Sequence, residues 1–157
     1  IEWLVRQELN VICAIGDPII KKKIIEKLTD SDNNYPIIIH PNVIHSDILN
    51  IGEGSIICAG NILTVNINIG KHVIVNLDCT IGHDVVIGDY TTISPGSNIS
   101  GTAKIGECVS IGTGSAIIQG VSVGENTIIG AGAVATRNLP ANCTAVGVPA
   151  RIIINNK

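Results

Sequence analysis

Ile87-Gly88-Asp89-Tyr90-Thr91-Thr92-Ile93-Ser94-Pro95-Gly96-Ser97-Asn98-Ile99 holds two turns of the pattern that decides the fold. Each hexad opens on an aliphatic residue and carries a small or β-branched one four positions later, Ile87 with Thr91 and Ile93 with Ser97. The frame runs without insertion from Ile51 to Val134. Below the quoted stretch it passes through Ile57, Leu63, Ile69, Val75 and Ile81; above it, through Ile105, Ile111, Ile117, Val123 and Ile129. A period this short and strict marks a repeat architecture.

The small residue and the next aliphatic one are two positions apart, so on a strand both side chains leave the same face. That face must point inward. A longer period is superposed: Ile51-Gly52-Glu53, Ile69-Gly70-Lys71, Ile87-Gly88-Asp89, Ile105-Gly106-Glu107 and Val123-Gly124-Glu125. Three hexads per coil predict a triangular prism of short parallel strands, with coils about 4.8 Å apart. The glycine after the aliphatic residue is expected to supply left-handed backbone at a corner.

Composition sets outer limits. Hydrophobic residues make up 45% of the 157-residue chain but aromatic ones only 2%, so the core is an aliphatic stack. A formal net charge of -3 argues against a nucleic-acid or anionic-membrane surface. No run of about 18 apolar residues is present, so no membrane span is expected, and no signal peptide is visible. Cys13, Cys58, Cys79, Cys108 and Cys143 form no CxxC pair. Such a set suits a reducing cytoplasm, and Cys79, on an inward position, reads as a small hydrophobe. The chain starts at Ile1 and contains no methionine, which reads as a fragment of something longer.

Before the hexads, Asn10 to Gly16 reads as a buried strand. Asp17 then caps a helix that starts at Pro18. Ile20, Ile24, Ile25 and Leu28 fall on one face, leaving Lys21, Lys23 and Lys27 as a solvated face. Residues 31–34 read as a loop. His72, in the corner column Gly54/His72/Tyr90/Cys108, reads as surface, and His40 and His45 as parts of a first, irregular coil.

The hexads resemble the left-handed parallel β-helix of hexapeptide-repeat acyltransferases. The hand comes from that resemblance, since general crossover rules favour the opposite one. The strand and helix ahead of them resemble the back half of the small βαβ domain that precedes the β-helix in nucleotide-sugar acetyltransferases. In that family a glycine-rich turn near the start holds the nucleotide. No such turn stands in this sequence, so nucleotide contacts are left unassigned. The expected organisation is an all-β solenoid, a left-handed parallel β-helix over residues 37–157, preceded by a partial α/β segment over 1–36.

The segment Asn76 to Asp89 carries the resemblance most specifically, to acetyltransferases that modify amino sugars or sialic acids on the way to bacterial glycans. The matching histidine there is the general base and the acidic residue after it raises its basicity; here these are His83 and Asp84. The residues agree. His83 lies two past the inward Ile81, at a corner, and imidazole has an ordinary pKa of about 6.5, suited to proton removal near neutral pH. The resemblance implies acyl transfer from acetyl-CoA without a covalent enzyme intermediate and without a metal. It assigns the oxyanion donor to Gly101, one coil above His83, a substrate contact to Asn76, and cofactor contacts to Thr92, Thr113, Ala131 and Arg151. At Thr92 the sequence departs from the family's best-known member, which has a histidine there. A homotrimer, whose neighbours complete the cofactor groove, is the expected assembly.

Three other readings compete. O-acetylation of a sialic-acid-type sugar would use the same His-Asp pair. A hexapeptide-type zinc carbonic anhydrase needs three histidines converging between subunits, whereas His72 and His83 sit at different corners. A non-catalytic binding solenoid needs a flat face of repeated threonines, and the outward positions here are mixed (Ile56, Leu77, His83, Gln119).

Overall fold

The computed structural model describes residues 9–28 and 33–155. Three sheets form the walls of a prism. The first contains Ile38–Ile39, Ile56–Ile57, Ile74–Val75, Thr92–Ile93, Ser110–Ile111, Ile128–Ile129 and Cys143–Val146, and ends on Arg151–Asn155. The second contains Ile44–His45, Ile62–Leu63, Thr80–Ile81, Asn98–Ile99, Ala116–Ile117 and Val134–Ala135. The third contains Leu49–Ile51, Ile67–Ile69, Val86–Ile87, Lys104–Ile105 and Ser122–Val123. Pairing is parallel in one register, Ile74 with Thr92 and Thr92 with Ser110, so each coil takes eighteen residues. The register already holds at Ile38 with Ile56 and Ile44 with Ile62. The first coil, expected to be irregular around His40 and His45, is therefore in frame. At the top the repeat shortens, Ile128 pairing with Thr144, and Arg151–Asn155 pairs antiparallel with Cys143–Val146.

Both patterned positions point inward, as the alternation requires: Ile57, Ile81, Ile93 and Ile111, with Val73, Val85, Val109 and Cys79, are fully buried. The polar residues in these columns are buried too, and each finds partners in the coil above. Ser55 Oγ donates to the Gly70 carbonyl at 2.9 Å and accepts from the Val73 amide at 3.0 Å. Thr91 does the same with Gly106 and Val109, at 2.9 and 3.1 Å. Ser97 and Ser115 donate to the carbonyls of Gly112 and Gly130. A buried hydroxyl left without such partners would cost free energy.

The glycine columns differ from expectation. Gly52, Gly70, Gly88, Gly106 and Gly124 have ordinary φ; the left-handed positions come two residues later, at Gly54, His72, Tyr90, Cys108 and Asn126. What excludes a side chain is proximity. A Cβ on Gly52 would lie 2.6 Å from the backbone of Gly70 and Lys71, and one on Gly88 would lie 2.6 Å from Gly106 and Glu107. Successive coils stack too closely at this point for anything but hydrogen.

The segment ahead of the prism also departs from the sequence reading. Asn10 makes a single parallel bridge to Asn34, and no longer strand forms over Asn10 to Gly16. One rung is all that the Asn34 neighbourhood offers before the chain passes Tyr35 into the first coil, where the Tyr35 carbonyl accepts from the Gly54 amide at 2.8 Å. The loop expected at 31–34 lies partly outside the described residues. Helix α1 spans Pro18–Glu26, with Asp17 as its cap accepting from the Ile20 amide at 2.9 Å.

Lys21 is buried rather than solvated. Its face of α1 packs on the prism, where Nζ donates to Thr92 Oγ1 at 3.0 Å and approaches the Thr91 carbonyl at 3.5 Å. Ile20, expected on the buried face, is half exposed instead. Lys22 closes the same contact with an ion pair to Glu107 and lies 5.8 Å from the Tyr90 ring centroid. His72 is likewise buried and not surface, edge-on to Tyr35 at 5.0 Å and stacked on Tyr90 at 5.4 Å. Burial pushes its imidazole below the ordinary value, with Lys21 and Lys71 adding to the effect against Glu53 and Asp89.

Burial also pulls the Lys21 ammonium down to about 8, against the opposing influence of Cys13, Cys108 and Asp17. The folded pKa is lowered, so from about 8 up to the ordinary 10.5 the unfolded chain binds more protons and stability rises with pH. Cys108 acts oppositely from 9 upward, its thiol being raised to about 11 by burial first and Glu107 second. Unfolding free energy measured by denaturant titration from pH 8 to 9 should therefore rise more steeply in the wild type than in Lys21→Met. Equal slopes would show that Lys21 stays charged at no cost.

Candidate active site

His83 and Asp84 follow the strand Thr80–Ile81 and form the corner between the second and third sheets. Two constraints fix the turn: the Gly82 amide donates to the Ile99 carbonyl at 2.7 Å, and the Thr102 amide to the His83 carbonyl at 2.7 Å. Asp84 takes the left-handed conformation (φ 59°), which aspartate tolerates better than most side chains. Its Oδ2 lies 2.7 Å from His83 Nδ1, while its Oδ1 accepts from Asn66 Nδ2 at 2.5 Å. These two bonds, His83 first, hold the Asp84 carboxyl below the usual carboxylate range. Both side chains are about half exposed, 51% and 46%, so a substrate can reach them.

A carboxylate on Nδ1 fixes the proton there and leaves Nε2 as the free basic nitrogen. Nε2 hangs over Gly101. A Cβ on that residue would lie 2.5 Å from Nε2 and 2.8 Å from both neighbouring ring carbons. Gly101 has ordinary φ, so its requirement for glycine is room for the imidazole. Among the described residues its N–H donates to no protein acceptor, which leaves a base and an amide donor side by side at one corner.

Asn76, Thr113 and Ala131 belong to a different corner, between the first and second sheets. Asn76 donates its amide to the Ile93 carbonyl at 2.9 Å; Thr113 and Ala131 are exposed and one coil apart, and the Thr113 carbonyl accepts from Gly132 at 2.8 Å. The outward residues of the second sheet, Thr80, Asn98, Ala116 and Val134, separate the two corners. Arg151 starts the antiparallel strand, exposed, with Nη1 on the Ala150 carbonyl at 3.3 Å. Thr92 is the exception: it is buried under α1 with its hydroxyl engaged by Lys21, so within one subunit no cofactor reaches it. Sequence reasoning missed Asn66. The available signal was its place eighteen residues before Asp84, one coil directly beneath it.

A concavity of about 960 Å³ opens elsewhere, along the lower coils of the third sheet, between Ile39, Asp47, Leu49, Asn68 and Val86. It carries none of these groups. Among the described residues no three His, Cys, Asp or Glu side chains gather as a metal site, and no helix is long and apolar enough to cross a membrane.

Comparison with known proteins places the fold in a family. The sequence profile of the family described as "Bacterial transferase hexapeptide (six repeats)" matches residues 102–137. No curated protein matches the sequence. Among solved structures, a histidine-to-asparagine variant of perosamine N-acetyltransferase from Caulobacter crescentus, in complex with CoA and GDP-perosamine, is 33% identical over 94% of this chain and 70% of that one, with a TM-score of 0.89. The chain belongs to the hexapeptide-repeat sugar acetyltransferases. The acetyltransferase domain of PglB from Neisseria gonorrhoeae, in complex with acetyl coenzyme A, is 34% identical over 92% of this chain and 70% of that one (TM-score 0.87). WeeI from Acinetobacter baumannii is 34% identical over 97% and 75% (TM-score 0.89).

The crowding at Gly101 generates a test. Gly101→Ala should fold, because the ring it displaces is half exposed, but it should move Nε2 out of place. Turnover is expected to fall by about 10² or more, the lower bound for losing a positioned base. Circular dichroism and steady-state turnover on the same preparation check both halves.

Proposed function

We propose that this acetyltransferase moves an acetyl group from acetyl-CoA to the amine of a nucleotide-linked amino sugar, with His83 as general base. The observation that carries the reading is the free Nε2 over Gly101, its tautomer held by Asp84 on Nδ1. The acceptor amine attacks the thioester carbonyl and loses a proton to Nε2. The carbonyl oxygen becomes negative and accepts a hydrogen bond from the Gly101 N–H, an amide that needs no reorganisation to do so. Collapse of the tetrahedral adduct breaks the C–S bond, and the imidazolium returns its proton to the departing thiolate. Asp84 steadies the imidazolium while it exists.

Thr113 and Ala131, with Arg151 above them, supply the corner along which the coenzyme A lies; Asn76 contacts the acceptor. Thr92 has no part in this scheme. The coils are left-handed, and three parallel subunits close around the site in a cyclic assembly, whose heterologous contacts are equivalent. Residues before 37 belong to a nucleotide-sugar-binding unit, and the enzyme works in the cytoplasm of a glycan-building cell. The nucleotide amino sugar in the Caulobacter complex supports N-transfer over O-transfer. The zinc reading loses support because His72 is locked between two tyrosines.

Acetyl-CoA turnover against UDP-, dTDP- and GDP-amino sugars, alongside free sialic acid, tests the acceptor; activity on sialic acid alone would replace N- by O-acetylation. His83→Ala should keep the fold and lower turnover by about 10² to 10⁴. Asp84→Asn should keep the fold and lower turnover, since the ring loses the carboxylate that holds its Nδ1 proton. Light scattering should return three times the chain mass, and a monomer at assay concentration would refute the shared groove.

A further inference from the structure

We propose that Asn66 is a positioning residue for this chemistry, aiming the Asp84 carboxylate at His83 from the coil below; the proposal rests on the reading of His83 as the base. Asp84 is half exposed and free to rotate unless something holds its second oxygen. Asn66 holds it, with Nδ2 donating to Oδ1 at 2.5 Å, while Oδ2 faces Nδ1 of the imidazole at 2.7 Å. A hydrogen bond to an ionised acceptor is shorter and stronger than a neutral one.

The amide is presented from a fixed base. The Asn66 N–H donates to the Ile48 carbonyl at 2.9 Å and the Asp84 N–H to the Val65 carbonyl at 3.1 Å, so both ends of the side-chain bond sit on laddered backbone. Two comparisons within the molecule separate this bond from ordinary packing. Asn50 with Asn68, at 2.9 Å, and Asn126 with Asn142, at 3.1 Å, are rungs in which one neutral amide meets another. Only the Asn66 rung, among these three, ends on a charge whose other oxygen holds a histidine. The backbone does not itself demand asparagine. Asn66 has φ 56°, and at the same corner, three coils higher, glycine fills the left-handed position as Gly120 (φ 75°).

Asn66→Gly therefore keeps the left-handed turn and removes only the amide, and Asn66→Asp keeps size and turn but replaces the donor with a carboxylate. Both should lower kcat by about tenfold, part of the roughly 10²-fold or more that a positioned base contributes, with little change in KM for either substrate. Combined with Asp84→Asn, Asn66→Gly should cost nothing further, because residues acting through one group are not additive. Unchanged kcat in both variants, or full additivity with Asp84→Asn, would overturn the proposal while an inactive His83→Ala left the parent reading intact. Full activity in His83→Ala would overturn both.

Discussion

Everything in this molecule depends on coils that stack at backbone distance. Where Gly52 meets Gly70 and Gly88 meets Gly106 there is no room for a Cβ. The same closeness lets one coil's inward hydroxyl reach the next coil's glycine carbonyl, as Ser55 reaches Gly70 and Thr91 reaches Gly106. Each coil thus completes the hydrogen bonding of its neighbour. An aliphatic interior with almost no aromatic volume is filled because every layer repeats the last, not because any single residue is large.

The His83 corner shows what that stacking brings together. Three successive coils each contribute one element: Asn66 below, His83 with Asp84 in the middle, Gly101 above. Residues eighteen apart in sequence become neighbours along the prism axis, so the repeat itself brings these groups together with no separate scaffold. The charge is local and half exposed, so what it contributes is orientation of a ring more than stability. The room that Gly101 leaves for the ring and the carboxylate on Nδ1 together select which nitrogen is free.

The corner between the third and first sheets uses the same geometry for attachment. Its left-handed column carries His72 and Tyr90 where glycine would suffice, and Tyr35 covers them from the incoming chain. Helix α1 is held there by one buried lysine and one ion pair. A buried ammonium satisfied by a hydroxyl and a carbonyl fixes the helix in one place on the first sheet. It also occupies Thr92.

The hexad and the eighteen-residue period determined the prism, its inward columns, its corners and the corner on which His83 and Asp84 stand. They could do so because alternation and stacking are local rules, repeated until nothing else fits. The tertiary structure alone decided what periodicity does not encode. Lys21, His72 and Thr92 look like surface or ligand positions until α1 and Tyr35 are laid over them, and a helix's docking face depends on the partner it meets. The corner glycines looked like conformational devices but are spacers, since the repeat gives their position and not the distance to the coil above. Asn66 became visible only when its amide was found on Asp84, because the repeat brings two residues together without saying which way their side chains turn.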